Sequence, residues 1–255
     1  MQITENTVVV VSGGASGLGG AVAKALASAG AKVGIFDLNE ETGTAMAAEI
    51  GGAFAKVDVS DPASVAEGFK TLRAAHGQER IMVSCAGIAP ASKTQSKGEP
   101  HDPGLYAKTI GVNLIGTFNC ASQAAAGMAT VDPVTDDGER GVIINTASIA
   151  AFDGQIGQLA YAASKGGVVG MTLPMARDLM RDGIRVMTIA PGIFKTPMVA
   201  GLPQEIQDSL GAQVPFPSRL GDPNEFAAMA RHIVENSMLN GEVIRLDGAV
   251  RMAPR

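Results

Sequence analysis

Short apolar runs alternate with longer helical patterns along this chain of 255 residues. The runs are mostly continuous and β-branched, as is typical of strands buried on both faces of a parallel sheet. The alternation predicts a single doubly wound α/β domain over residues 1–255, with about seven parallel strands and helices on both faces. Strands are predicted at 7–12, 31–37, 53–57, 81–85, 142–146, 185–190 and 242–246, and helices at about 17–29, 40–50, 62–76, 104–129, 158–180 and 223–236.

Composition limits the partners and the location of such a domain. The net charge is −5 and no basic run exists, so binding to nucleic acid or to an acidic membrane has no electrostatic support. No apolar run approaches the roughly 18 residues of a membrane span, and no signal peptide is visible. Cys85 and Cys120 stand in apolar surroundings that suit buried free thiols. These features predict a reducing, cytoplasmic location, while an organellar address stays open.

Two polar, proline-rich segments interrupt the alternation, at about 88–103 and 191–223. Each follows a predicted strand, so each should lie at the carboxyl edge of the sheet, where open α/β folds bind ligands. Long segments without regular structure are often lids or binding loops. The sequence therefore predicts two substrate loops; ordinary surface loops are the alternative.

A glycine-rich turn follows the first predicted strand and leads directly into the first helix. Its glycines permit a tight turn and let backbone N–H groups approach a pyrophosphate, whose charge the helix N-terminus favours. Strand, turn and helix together predict the dinucleotide site of a Rossmann domain. Its expected contacts are Ser12, Gly13, Ser16, Gly17, Leu18 and Gly19.

Asp37 ends the second predicted strand. A carboxylate at this place is expected to accept hydrogen bonds from the adenosine ribose hydroxyls and to repel a 2′-phosphate. Leu38 and Asn39 follow and provide no cation to bind such a phosphate. The pattern predicts NAD rather than NADP as cofactor. The alternative role for Asp37 is to cap the helix at 40–50.

The third and fourth strands also end in residues that suit a cofactor. Asp58 and Val59 close the third strand, where the acid could reach the adenine amino group or cap the next helix. Small residues end the fourth strand and would let the adenosine half lie against the backbone; they are Cys85, Ala86 and Gly87.

Tyr161 and Lys165 lie four residues apart on a predicted helix and thus on one face. A tyrosine needs about 4 kcal/mol to bring its pKa from about 10 to near neutrality. A cation about 4 Å away supplies about that much at an effective dielectric of 20. Lys165 is therefore expected to lower the pKa of Tyr161 and make it an acid/base. Taken alone, this four-residue spacing is more often that of a surface Tyr and Lys. The dinucleotide turn, Asp37 and Ser148, which follows the strand before this helix, make the catalytic interpretation the favoured one.

Taken together, these residues resemble the short-chain dehydrogenase/reductase family over essentially the whole chain. The motifs occur in family order: Gly13-x3-Gly17-x-Gly19, Asp37, Asp58, Cys85-Ala86-Gly87, Asn113, Ser148, Tyr161-x3-Lys165 and Pro191-Gly192. Longer stretches, such as 141–148, 213–223 and 239–248, are similar to the branch of type 2 3-hydroxyacyl-CoA dehydrogenases, also called type 10 17β-hydroxysteroid dehydrogenases.

The resemblance implies an activity and an assembly. It implies reversible, NAD-dependent oxidation of 3-hydroxyacyl-CoA to 3-ketoacyl-CoA in fatty acid metabolism, by a homotetramer. A hydroxysteroid or other secondary-alcohol dehydrogenase with the same catalytic residues is the alternative. A non-catalytic scaffold that senses a dinucleotide is a remote one, because Ser148, Tyr161 and Lys165 are all present.

The resemblance also implies residue roles. Tyr161 exchanges a proton with the substrate, and Lys165 also holds the nicotinamide ribose. Ser148 hydrogen-bonds the substrate oxygen, and Asn113 holds a water that links Lys165 to solvent, a solvated or backbone-bonded asparagine being the alternative. The nicotinamide end is expected to meet Tyr161, Lys165, Pro191, Gly192, Ile193 and Thr196.

Three other residues are candidates for substrate contacts, and a fourth, Ser84 near the cofactor, departs from the family pattern. Gln158, one helical turn before Tyr161, is a candidate for the thioester carbonyl. Lys93 and Lys97 are candidates for CoA phosphates, although solvated loop lysines are the more frequent case. Ser84 stands where the family usually has asparagine. The histidines show no ligand spacing, so no metal site is predicted.

Overall fold

The computed structural model describes residues 1–254. Seven of its strands form one parallel sheet and the other two form a short hairpin. In chain order the strands are β1 (Val8–Ser12), β2 (Lys32–Asp37), β3 (Ala53–Lys56), β4 (Ile81–Ser84), β5 (Gln95–Ser96), β6 (Glu99–Pro100), β7 (Gly141–Thr146), β8 (Ile184–Pro191) and β9 (Val243–Leu246).

Helices follow most strands of the large sheet. They are α1 (Gly17–Ser28), α2 (Glu40–Ile50), α3 (Pro62–His76), α4 (Pro103–Ile110), α5 (Gly116–Met128), α6 (Leu159–Asp178), α7 (Pro197–Ala200), α8 (Gln204–Ala212) and α9 (Pro223–Glu235). Among residues 1–254, none of these helices combines the length and apolar character that crossing a bilayer demands.

Helix starts follow sequence signals that are readable in advance. Asp61 and Asp222 each precede a proline, and each side chain accepts a hydrogen bond from the backbone two residues on. At α9 the Glu225 carboxylate also accepts from the Asp222 N–H at 2.8 Å, which completes a capping box. The predicted starts of both helices are therefore confirmed.

The core has two apolar layers, one on each face of the sheet. Val9 and Val11 of β1 pack in the layer with α1 and α9, whereas Val10 points to the layer with α3 and α5. Strands that contribute to both layers must be apolar at every position, which explains the continuous runs. The predicted fold class, a doubly wound α/β domain with seven parallel strands, is confirmed.

The strand order shows where on the sheet a crevice for a ligand opens. The order is β3-β2-β1-β4-β7-β8-β9, so successive crossovers run in opposite directions on the two sides of the β1–β4 pair. The loops that leave β1 and β4 therefore diverge, and a crevice opens between them at the carboxyl edge of the sheet.

Three segments differ from the sequence prediction. The predicted helix at 104–129 is interrupted by a π-helical turn at Gly111–Ile115 that joins α4 to α5. The segment 88–103 contains the β5–β6 hairpin, and 191–223 contains α7 and α8 rather than irregular chain alone. Prolines concealed these helices, since Pro197 begins α7 and Pro203 precedes α8, positions that need no N–H donor.

Candidate active site

A cleft of about 660 Å³ opens at the carboxyl edge of the sheet. The turn after β1, the loops after β2, β3, β4, β7 and β8, and the first turns of α6 form its walls. Most predicted site residues line it: Gly13, Ser16, Gly17, Leu18, Gly19, Asp37, Asp58, Val59, Cys85, Ala86, Gly87, Ser148, Gln158, Tyr161, Lys165, Pro191, Gly192, Ile193 and Thr196.

The glycine-rich turn brings the backbone to the cleft. Gly13 adopts a φ of +65°, and a Cβ there would lie only 2.7 Å from the Ala86 nitrogen. A Cβ at Gly19 would overlap the Gly13 carbonyl. Gly17 begins α1, so the N-terminus of that helix opens on the cleft. The turn thus has the close approach and the helix dipole that a pyrophosphate needs.

Ser12, by contrast, is not among the residues that line the cleft, and its predicted cofactor contact stays a prediction. It is the last residue of β1 and is almost completely buried. Its hydroxyl accepts a hydrogen bond from the Ala86 N–H at 3.4 Å and lies near the Cys120 thiol. The side chain points into the helical layer because successive strand residues face opposite sides.

Asp37 fixes the turn as well as facing the cleft. Its two carboxylate oxygens accept hydrogen bonds from the N–H groups of Ala15 at 3.2 Å and Asn39 at 3.1 Å. Asn39 caps α2 by accepting from the Thr42 N–H. The alternative role of Asp37 as a helix cap is therefore wrong. Its carboxylate stands at the end of β2, where a ribose is expected.

Asp58 likewise is not a helix cap. Its Oδ1 accepts from the Ser60 N–H at 2.9 Å and from the Ser60 hydroxyl at 2.6 Å. Asp61 caps the following helix instead. Asp58 and Val59 both line the cleft beyond the end of β3.

Ser148, Tyr161 and Lys165 converge at one part of the cleft. Ser148 follows β7, and its hydroxyl accepts from the Ala150 N–H at 3.1 Å. The Lys165 ammonium donates to the Thr146 carbonyl at 2.7 Å and lies 5.9 Å from the centre of the Tyr161 ring. One strand end and one helix therefore supply all three side chains.

Burial dominates the acid–base properties of this group. It raises the pKa of Tyr161, and the nearby Ser148 hydroxyl opposes that effect. Burial lowers the pKa of Lys165 to about 8, with the neighbouring Cys85 acting in the opposite direction. The predicted net lowering of the Tyr161 pKa by Lys165 is therefore wrong in direction for the protein alone. Desolvation of the phenol dominates the shift of its pKa, while the Lys165 ammonium donates to the Thr146 carbonyl.

The two cysteines are free, as the sequence predicted. Cys120 is buried in the core, whereas Cys85 is half-buried and lines the cleft. Burial raises the pKa of Cys85 to about 11 and that of Cys120 to about 12. Both are therefore neutral thiols rather than nucleophiles at neutral pH.

Comparison with known proteins identifies the family. A model of the short chain dehydrogenase family matches residues 7–207. The chain belongs to the short-chain dehydrogenases. As a member, it is an oxidoreductase that acts on CH–OH groups and uses a nicotinamide dinucleotide.

Relatives of this short-chain dehydrogenase extend over its whole length. A "3-hydroxyacyl-CoA dehydrogenase type-2" from Bos taurus is 52% identical over 251 residues, which is 97% of this chain and 96% of the relative. The Homo sapiens protein of the same name is 51% identical with the same coverage. A crystal structure of "3-hydroxyacyl-CoA dehydrogenase type-2 from Mycobacterium avium" has a TM-score of 0.94 and 43% identity, covering 100% of both chains.

Asn113 lies behind the cleft wall rather than in it. Its Oδ1 accepts from the Ile88 N–H at 2.8 Å, while its Nδ2 donates to the Ile88 carbonyl at 2.8 Å and to the Ser164 hydroxyl at 3.0 Å. Its side chain is completely buried in the π-helical turn. These contacts match the alternative interpretation, in which Asn113 is bonded to the backbone. The side chain links the loop after β4 to Ser164 of α6.

Ser84, the departure from the family pattern, lies in the sheet of this short-chain dehydrogenase among buried polar side chains that lack hydrogen-bond partners in the part of the chain that the structure describes. It pairs with Ser12 on one side and Asn145 on the other, so all three side chains share one face. Within residues 1–254, neither the Ser84 hydroxyl nor the Asn145 amide finds a hydrogen-bond partner, although both residues are buried.

Gln158 precedes α6 instead of lying within it. Its Oε1 accepts from the Gln155 N–H at 3.0 Å, and both glutamines line the cleft. Lys93 and Lys97 are exposed and do not line the cleft. Their placement matches the alternative interpretation, in which both are solvated loop lysines.

Several cleft residues carry no signal in the sequence. They are apolar or neutral and come from distant parts of the chain: Leu38, Ala150, Gln155, Val199, Leu210 and Met252. Only the placement of 191–223 at the sheet edge pointed to any of them.

Proposed function

We propose that this short-chain dehydrogenase interconverts 3-hydroxyacyl-CoA and 3-ketoacyl-CoA with NAD. The observation that carries the proposal is the convergence of Ser148, Tyr161 and Lys165 beside a dinucleotide turn in one cleft. The acyl-CoA substrate class is supported by relatives of that name that are about half identical over nearly the full length.

The residues present fit a dinucleotide. Gly13 and Gly19 have no space for a side chain, which leaves backbone N–H groups at the N-terminus of α1 to hold the pyrophosphate. Asp37 would accept from the adenosine ribose and disfavour a 2′-phosphate, which supports NAD over NADP. Exposed Leu38 adds an apolar surface at the same end of the cleft. When bound, the oxidised dinucleotide supplies the two-electron acceptor.

The side chains of this dehydrogenase handle the proton. The Ser148 hydroxyl accepts from the Ala150 N–H, so its own hydrogen is available for the substrate oxygen. Tyr161 takes the hydroxyl proton as the substrate carbon is oxidised and returns it in the reverse reaction. Lys165 keeps an ammonium beside the phenol and would also hold the nicotinamide ribose. Thr196, Pro191, Gly192 and Ile193 form the wall at that end.

The two proline-rich segments are proposed as substrate loops. Ile88 and Ala89 line the cleft from the segment 88–103, and Val199 and Leu210 line it from 191–223. These apolar side chains suit an acyl chain more than a polar substrate.

A homotetramer is proposed for the assembly. Three large apolar side chains are about half exposed on the outer helices, namely Ile115, Phe118 and Leu173. Large apolar side chains that are exposed on the helices suit burial in a subunit interface. A reducing, cytoplasmic location is proposed as well, and the two free thiols support it.

Turnover of acetoacetyl-CoA with NADH, compared with turnover of a ketosteroid, tests the substrate class. We expect turnover of the thioester; turnover of the steroid alone would favour the hydroxysteroid or secondary-alcohol alternative.

Tyr161→Phe should lower kcat by about a hundredfold or more and leave NADH binding unchanged. Tyr106→Phe, at the partly exposed tyrosine outside the cleft, is the control. Full activity in Tyr161→Phe would refute the assigned role.

A further inference from the structure

Residues 250–254, here called the strap, cross the segment that leads into α6. The Pro254 carbonyl accepts from the Ile156 N–H at 3.0 Å, and the Ala253 carbonyl accepts from Nε2 of Gln155 at 3.0 Å. Met252, the residue before these two contacts, lines the cleft together with Tyr161. The strap therefore places an apolar, flexible side chain in the wall of the candidate active site.

The beginning of the strap is held as firmly as its end. Val250 is only 1% exposed, and its carbonyl accepts from Nη2 of Arg245 at 3.1 Å. The same guanidinium donates to Asp153 at 2.6 Å and to Asp247 at 2.7 Å. Because Asp153 belongs to the segment under the strap, Arg245 fixes the strap and that segment to one another. Terminal segments tied down in this way are ordered.

Gln155 connects the strap to the start of α6. Its side chain donates to the strap at Ala253, and its backbone N–H donates to Oε1 of Gln158 at 3.0 Å. The Gln158 carbonyl then accepts from the Ala162 N–H at 2.7 Å, in the helical turn that carries Tyr161. A chain of hydrogen bonds thus runs from the strap to the reacting end of the cleft.

We propose that the strap forms the wall that selects the acyl group, with Met252 as a specificity-determining residue and Gln155 as a positioning residue. The nature of the selected group rests on the proposed function. Ala150, Val199 and Leu210 also line the cleft, so Met252 adds to an apolar lining. An unbranched thioether adapts to chains of different shape and makes weak apolar contacts with each of them.

Substitutions of Met252 that change its volume in both directions test the proposal. The measurement is the ratio of kcat/KM for a long-chain 3-ketoacyl-CoA to that for acetoacetyl-CoA, with NADH. Met252→Phe should lower this ratio about tenfold, the usual size of discrimination in an apolar pocket. Met252→Ala should raise it severalfold. NADH affinity should be unchanged, because the substitution is not at the glycine-rich turn or Asp37.

The matched controls are Met238→Phe and Met238→Ala, since Met238 is 92% exposed and does not line the cleft. Gln155→Glu removes the donor to Ala253 and should shift the ratio in the same direction as Met252→Ala. Its KM for the long substrate should change more than its kcat for the short one. If Gln155 had a purely structural role, the substitution would lower kcat/KM for both substrates equally.

Chain-length ratios within twofold of the parent in both Met252 variants would overturn the proposal. A parent enzyme that reduces ketosteroids or simple ketones but no thioester would contradict the proposed function instead. The same variants would then be compared on the bulkiest and smallest ketones that the parent reduces. A shift in that ratio would support the strap as the selecting wall, and an unchanged ratio would reject it.

Discussion

Lys165 and Tyr161 lie one turn apart on α6, yet the Lys165 ammonium donates to the Thr146 carbonyl at 2.7 Å and lies 5.9 Å from the centre of the Tyr161 ring. The lysine is buried, and burial lowers its pKa from 10.5 to about 8. A group held against its preferred protonation state destabilises the folded protein. Burial of the Lys165 ammonium beside the acid/base therefore lowers the free energy of unfolding of the protein.

Lys165→Met should abolish most activity and yet stabilise the fold. The lowered pKa corresponds to a cost on the order of 3 kcal/mol. Loss of the donor to the Thr146 carbonyl offsets part of the gain. We expect the free energy of unfolding to rise by about 1 to 2 kcal/mol at pH 7, as measured by urea denaturation. Lys32→Met, at an exposed lysine of β2, is the control.

The pH dependence of this stability difference has a definite sign. Below pH 8 the lysine is charged in both the folded and unfolded states, so the penalty is fully present. Between about 8 and 10.5 the folded parent loses the proton while the unfolded chain keeps it, so the parent gains stability as pH rises. The advantage of Lys165→Met should shrink over this window. An advantage that grows with pH would contradict the assignment.

Asp37→Asn should weaken the preference for NAD. The amide keeps a similar shape and one acceptor oxygen for the Ala15 or Asn39 N–H, but it removes the charge that repels a 2′-phosphate. We expect the ratio of kcat/KM for NAD to that for NADP to fall at least tenfold. Asp61→Asn, at the cap of α3 outside the cleft, should leave the ratio unchanged. Equal use of NAD and NADP by the parent would contradict the role of Asp37.

Local sequence signals predicted the frame of the site because its elements are local. Val8–Ser12, the glycines after it and α1 form one contiguous unit, and Asp37 simply ends the next strand. The π-helical turn at Gly111–Ile115 had no such signal, since a single shifted turn barely alters the helical period. α7 and α8 were concealed by prolines at positions that helices tolerate.

Tertiary burial decides what the sequence could not predict. The four-residue spacing of Tyr161 and Lys165 placed them on one face but did not show that the phenol would be desolvated, so the direction of its pKa shift was missed. Met252 lies in the wall of the cleft, where tertiary hydrogen bonds hold the strap across the segment that leads into α6. Ser12 was predicted at the cofactor from its place at the start of the glycine-rich turn, and the sequence did not show that its hydroxyl lies near the Cys120 thiol.

Ser84→Ala should leave the protein as stable as the parent or more stable. The Ser84 hydroxyl is buried at 2% exposure and, among residues 1–254, has no hydrogen-bond partner. Removal of an unsatisfied buried polar group relieves a desolvation cost of about 1 kcal/mol or more. Thermal or urea unfolding of the purified variant measures the change.

Ser164→Ala is the matched comparison for Ser84→Ala. Ser164 is also buried, but its hydroxyl accepts from Nδ2 of Asn113 at 3.0 Å and donates to the Tyr161 carbonyl at 2.7 Å. Its loss should destabilise the fold by about 1 to 3 kcal/mol. A larger loss in Ser84→Ala than in Ser164→Ala would show that the Ser84 hydroxyl has a partner after all.

Asn113→Asp should separate a positioning role from direct contact with substrate. The carboxylate has the same shape, but it cannot donate to the Ile88 carbonyl or the Ser164 hydroxyl, and it would bury a charge. We expect a loss of about 2 kcal/mol or more in unfolding free energy and a kcat at least tenfold lower, with KM for the substrate close to that of the parent. Exposed Asn224→Asp, at the start of α9, should change neither quantity. A raised KM with unchanged kcat would instead indicate that Asn113 acts on substrate binding.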